Sequence, residues 1–123
     1  MAFLRSLSSD GEFIAIAKKD AVQKEPSIRV LSVADQTQKT IKVQTWAGIA
    51  MMDWSADARS VWAVAYTTRE TWTLLKVDLT GRVTPMLEDK DMRLGWAIPS
   101  PDGRHLALWR ASNSANAWLV ENF

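Results

Sequence analysis

One short pattern occurs three times in phase along the chain, and it constrains the fold more than any other feature. Leu7-Ser8-Ser9-Asp10-Gly11-Glu12-Phe13-Ile14-Ala15 is echoed by Trp54-Ser55-Ala56-Asp57-Ala58-Arg59-Ser60-Val61-Trp62 and again by Pro99-Ser100-Pro101-Asp102-Gly103-Arg104-His105-Leu106-Ala107. Each copy sets Ser two positions before Asp, then a small residue, then an apolar run. The Asp residues stand 47 and then 45 positions apart. Repeats of that length are supersecondary units that cannot bury their apolar faces alone and must stack on one another.

The filling of each period favours strands over helices. After Asp57, Val61 to Thr68 and then Trp72 to Leu79 are rich in β-branched and aromatic residues. Thr80-Gly81 supplies turn chemistry, and Val83 to Leu87 forms a short third run holding Pro85. A proline cannot donate to a ladder, so that run belongs at a sheet edge. Met92 to Ile98 then leads into the next Ser-Pro-Asp-Gly. The first period keeps the same order with Ala2 to Ser8, Phe13 to Ala17, Ile28 to Val33, Thr40 to Thr45 and Ile49 to Trp54. The last holds His105 to Ala111 and Asn116 to Val120, without an outer edge strand. No long window carries a capped helical stripe. The expectation is an all-β chain of eleven strands in antiparallel sheets, with repeats of about 45 residues close to the period of propeller blades. The blades fall at about residues 2–45, 48–89 and 92–123.

Asp in an Asp-Gly step accepts nearby backbone N–H groups, and Gly supplies the positive φ of a tight hairpin. Ser8, Asp10, Gly11, Ser55, Asp57, Ser100, Asp102 and Gly103 are therefore read as a structural turn motif between first and second strands. Because blades radiate from an axis, equivalent positions are expected to lie far apart, which argues against a shared metal or acid–base site.

The Ser-Pro-Asp-Gly-Arg-His-Leu-Ala stretch at residues 100–107 resembles the WD40-like repeats of TolB-type β-propellers. The first copy has Ser9 in place of Pro, and the middle copy has Ala56 and Ala58 in place of Pro and Gly. The closing Asn116-Ala117-Trp118-Leu119-Val120-Glu121-Asn122-Phe123 is similar to the last propeller segment of bacterial multidomain regulators. The resemblance implies a sensor or interaction module, with the regulators' kinase or DNA-binding parts absent from this chain. Propellers commonly close with four to eight blades. Three blades form an arc, so the expected assembly is a homodimer closing a six-bladed ring, a twofold being the commonest closed symmetry.

Charge and chemistry exclude much else. Fifteen Lys plus Arg against 14 Asp plus Glu leave a net charge of +1, no footprint for nucleic acid or an anionic membrane. Without Cys and with one His, His105, neither a zinc set nor a thiolate nucleophile can be assembled. No Gly-x-Ser-x-Gly elbow occurs, and the five Gly stand singly, so no catalytic residue, metal or cofactor is expected. The charge-dense run Glu88 to Arg93 reads as a solvated loop, as does Asp20 to Ser27, a place for a protein or peptide partner. Of seven Trp, those at 54, 62, 96, 109 and 118 suit blade packing, while Trp46 and Trp72 sit at strand ends where they could stack on a sugar ring or a proline. The N-terminus lacks a secretory h-region and no apolar run reaches membrane-spanning length, so a cytoplasmic location is expected for the chain as given. Competing functional readings are the gating propeller of a prolyl-oligopeptidase-like hydrolase, a lectin-like binder, and an excised or engineered half propeller.

Overall fold

The computed structural model describes residues 3–18, 26–43, 45–69 and 71–111, together with the backbone of a last strand at Ala115–Glu121. Strands β1 (Phe3–Leu7), β2 (Phe13–Lys18), β3 (Ser27–Ser32) and β4 (Gln38–Lys42) form the first antiparallel sheet, in that order. The second sheet repeats the arrangement with β5 (Gly48–Trp54), β6 (Ser60–Tyr66), β7 (Trp72–Asp78) and β8 (Val83–Asp89). The third holds β9 (Arg93–Pro99), β10 (His105–Ala111) and β11 (Ala115–Glu121).

The three sheets stack face to face, with one apolar cluster at each seam. Ala15, Ile28, Ile49, Trp54, Val61 and Leu75 belong to the cluster between the first two sheets, and Trp62, Val64, Leu74, Leu94, Leu106 and Leu108 to the cluster between the last two. The middle sheet is covered on both faces. That is why β6 reads as a continuous apolar run, whereas strands with one open face alternate. Trp54 anchors the first seam: its indole N–H donates to the Ser6 carbonyl at 2.8 Å and its ring stacks on Phe13 at 5.9 Å.

Pro85 lies in β8, an edge strand that pairs only with β7, where a residue without an N–H is tolerated. The register shifts between Leu74 and Leu75, opposite this proline. Two sequence expectations need correction. The fourth strand runs Gln38–Lys42, two residues earlier than expected, because Asp35 accepts from the Thr37 hydroxyl at 2.8 Å and closes the preceding turn early. Nor is the run from Glu88 a solvated loop throughout. Asp89 is buried, accepting from the backbone N–H groups of Asp91 and Met92 and pairing with Arg110 of β10. A carboxylate that carries two N–H bonds and an arginine tolerates burial that a bare one does not. Most of the loop expected at Asp20 to Ser27 lies outside the described residues.

The three turn motifs share one geometry. The Ser hydroxyl donates to its Asp at 2.6, 2.6 and 2.5 Å for Ser8, Ser55 and Ser100, while that Asp accepts the N–H of Glu12, Arg59 and Arg104 at 3.0 Å each. The same Ser oxygens accept the N–H of Phe13, Ser60 and His105 at 3.0, 3.1 and 3.1 Å. One residue in each turn must take a positive φ, at Gly11 (74°), Ala58 (59°) and Gly103 (73°). Ala58 holds the glycine position with a Cβ that disfavours this region. Ala58→Gly is therefore expected to stabilise the protein by about 0.5–1 kcal/mol in urea unfolding, relief of the strained φ outweighing added unfolded-state entropy. A lowered unfolding midpoint would contradict that reading.

Candidate functional site

Stacking brings the turn motifs together, contrary to the expectation that they lie far apart. Ser9 Oγ donates to the Ala56 carbonyl at 3.0 Å, and a Cβ on Gly103 would come within 3.6 Å of the Ala56 Cβ. First-to-second-strand hairpins therefore meet along one rim. Asp57 and Asp102 line a single cleft of about 400 Å³ with Trp62 and Lys76, whose ammonium stands over the Trp62 ring at 5.4 Å. Among the described residues no group of three or more His, Cys, Asp or Glu is placed to hold a metal ion.

Each turn carboxylate is committed to its own loop. The hydroxyl of Ser8, Ser55 or Ser100, and then the backbone N–H two residues on, hold Asp10, Asp57 and Asp102 below the usual carboxylate range. At Asp89, burial pushes upward, but the N–H groups of Asp91 and Met92 and the Arg110 guanidinium together outweigh it and the net direction is down. Groups whose folded pKa is depressed contribute stability above their unfolded value, near 3.9, that is lost as pH falls through the folded value. The urea midpoint is expected to be nearly flat from about pH 5 to 7 and to fall steeply below about pH 4. A shallower fall in the Asp57→Asn/Asp102→Asn double variant checks the assignment; an identical slope would remove the turns as its cause.

Trp46 and Trp72 go to different surroundings. Trp72 begins β7 between Tyr66, at 5.2 Å, and the guanidinium of Arg93 from the third sheet, 5.1 Å from its ring. Its ring is engaged at a seam. Trp46 packs against the first apolar cluster and lines a separate cleft with the β6–β7 hairpin. Sequence reasoning missed a second repeated turn, in which Asp35 and Asp78 accept the hydroxyls of Thr37 and Thr80 at 2.8 and 2.6 Å. The Asp-x-Thr spacing, present in both periods, carries that signal.

The outer faces of the stack are the larger feature. On the face turned toward a preceding sheet, Trp54, Val61 and Ala63 of the second sheet and Leu106 and Leu108 of the third are buried. Their repeat equivalents in the first sheet are Leu7, 61% exposed, and the half-buried Ile14 and Ile16. On the face turned toward a following sheet, Ala15 and Ala17 of the first sheet and Met51, Trp62 and Val64 of the second are buried. Their equivalents in the third are Trp96, 59% exposed, the exposed Ala107 and the half-buried Trp109, and on the same face Ile98, in register with Ala107, is 54% exposed. Trp96 and Trp109 stand 5.7 Å apart, and Gly95 leaves the space that the Trp109 ring occupies, since a Cβ there would sit 1.9 Å from it. The first sheet's open face also carries Arg5 and Arg29 in register with Ile16.

Stacked antiparallel sheets of four, four and three strands, joined in sequence with first-to-second-strand turns along one rim, define the architecture. The fold is that of the TolB-type β-propeller. Over 98% of this chain it superimposes on TolB from Acinetobacter baumannii with a TM-score of 0.74 at 18% identity, covering 30% of that protein. The putative TolB of Agrobacterium tumefaciens is similar over 98% of the chain and 46% of its own, with a TM-score of 0.77 at 15% identity. The β-propeller domain of the Trilobed protease from Pyrococcus furiosus matches over 95% and 38%, at 0.67 and 19% identity. The chain thus spans less than half the length of each. No protein-family model matches it, and no curated protein matches it. Among the described residues no helix is long and apolar enough to cross a membrane.

Proposed function

We propose that the chain is a non-catalytic propeller scaffold for protein interaction or ligand sensing, and that two copies close one six-bladed ring. The observation that carries closure is the repeat equivalence of the faces: positions buried at the internal seams are exposed or only half-buried at the two ends of the stack. In the ring, Leu7, Ile14 and Ile16 of one copy meet Trp96, Ile98 and Trp109 of the other, and a twofold makes both seams at once. Apolar surface on that scale is rarely left open by a monomer. The arginines on the first face are the natural complement of the tryptophans on the last, since a guanidinium packs over an indole with little loss of solvation. Arg93 over Trp72 already uses that contact between the second and third sheets.

The non-catalytic reading rests on the commitment of the turn carboxylates to their own backbone and on the engagement of the repeat-equivalent serines in the same loops. Light scattering on the folded chain tests closure. The expected molar mass is twice 13.8 kDa. A folded sample at the mass of one chain overturns it.

A further inference from the structure

Trp46 lines a cleft of about 390 Å³ between the β4–β5 connection, the β6–β7 hairpin and the outer strand β8. Five of the chain's nine threonines line it too, together with Arg69, Glu88 and Pro85. One of those hydroxyls is used locally: Thr67 Oγ1 accepts the backbone N–H of Arg69 at 3.3 Å and of Thr71 at 3.2 Å, shaping the hairpin. Thr73 is only 2% exposed and is the buried threonine of the lining. Trp46 is half-buried beside it, and Arg69 and Glu88 are exposed. Polar groups gathered in a concavity beside an aromatic wall are the usual makings of a small-ligand site.

The lining selects the ligand class. One guanidinium and one carboxylate cancel, so the cleft offers no net field for a phosphate or a polycation. Hydroxyls that both donate and accept suit a rim of vicinal hydroxyls, and the indole with Pro85 and the threonine methyls suits an apolar C–H face. A pyranose ring presents both, and the volume admits a mono- or disaccharide.

We propose that this cleft binds a neutral sugar, with Trp46 as the stacking wall and Thr73, Arg69 and Glu88 as hydrogen-bonding groups. The site lies between the first two sheets, away from the open end faces, so it is formed whether or not a ring closes. Titration of the isotope-labelled full chain with cellobiose, maltose and N,N′-diacetylchitobiose tests it, read from the Trp46 indole and the amides of residues 67–73. At least one disaccharide is expected to give saturable, millimolar shifts confined to that cleft. Trp46→Ala, its fold verified by spectral dispersion, is expected to weaken binding about tenfold or more. The proposal is overturned by the absence of saturable shifts with all three sugars, by unchanged affinity in Trp46→Ala, or by an oligoproline peptide binding the cleft more tightly than any of them.

Discussion

Trp96→Lys is expected to halve the solution mass of the protein while leaving its fold intact. Trp96 is more than half exposed within a single chain, so replacing it removes little from either apolar cluster. Its weight falls on the proposed seam, where the new ammonium would meet Arg5 and Arg29 of the second copy. Like charges brought together in a desolvated contact cost several kcal/mol. The two seams of a twofold ring are identical, so the penalty acts twice. Trp96→Phe keeps an aromatic face for the guanidiniums and is expected to retain the doubled mass. Equal masses for the wild type and the Lys variant, both folded by circular dichroism, would remove Trp96 from the contact.

Trp62→Ala is the substitution with the largest expected effect on stability. Its side chain is 1% exposed at the seam of the second and third sheets, in one cluster with Leu94, Leu106 and Leu108 and with the Lys76 ammonium over its ring. Truncating a buried tryptophan costs about 3–5 kcal/mol, a large part of the roughly 5–15 kcal/mol that holds a domain of this size. Urea unfolding reads that loss directly. Trp62→Phe retains much of the volume and is expected to lose less than half as much. A change below about 1 kcal/mol in the Ala variant would mean that the third sheet contributes little to the cooperative unit.

The strands were legible because the Ser-x-Asp turns punctuate them at a fixed interval, and a turn that satisfies its own backbone groups leaves little choice of register. Four-stranded sheets followed from the apolar runs between those turns, and the edge strand from Pro85. What the sequence did not disclose depends on packing between repeats. That successive turns touch through Ser9 and Ala56 is a matter of where inner hairpins converge, and no local pattern encodes it. The burial of Asp89 is hidden for the same reason, since its partner Arg110 lies 21 positions on, in the next sheet. Trp46 was singled out only for its place at a strand end. Its companions at Thr67 to Thr73 come from the neighbouring sheet, and only the stack joins them.

The two ends of the stack differ from each other: one is aliphatic with arginines, the other aromatic. Surfaces that fit each other but not themselves make a molecule a link with a direction. Curvature then decides the outcome: links whose rotation returns to the start form a ring, and links that miss it add on without limit as a fibre. A variant that changed the angle between sheets without weakening either face would trade a discrete particle for a polymer.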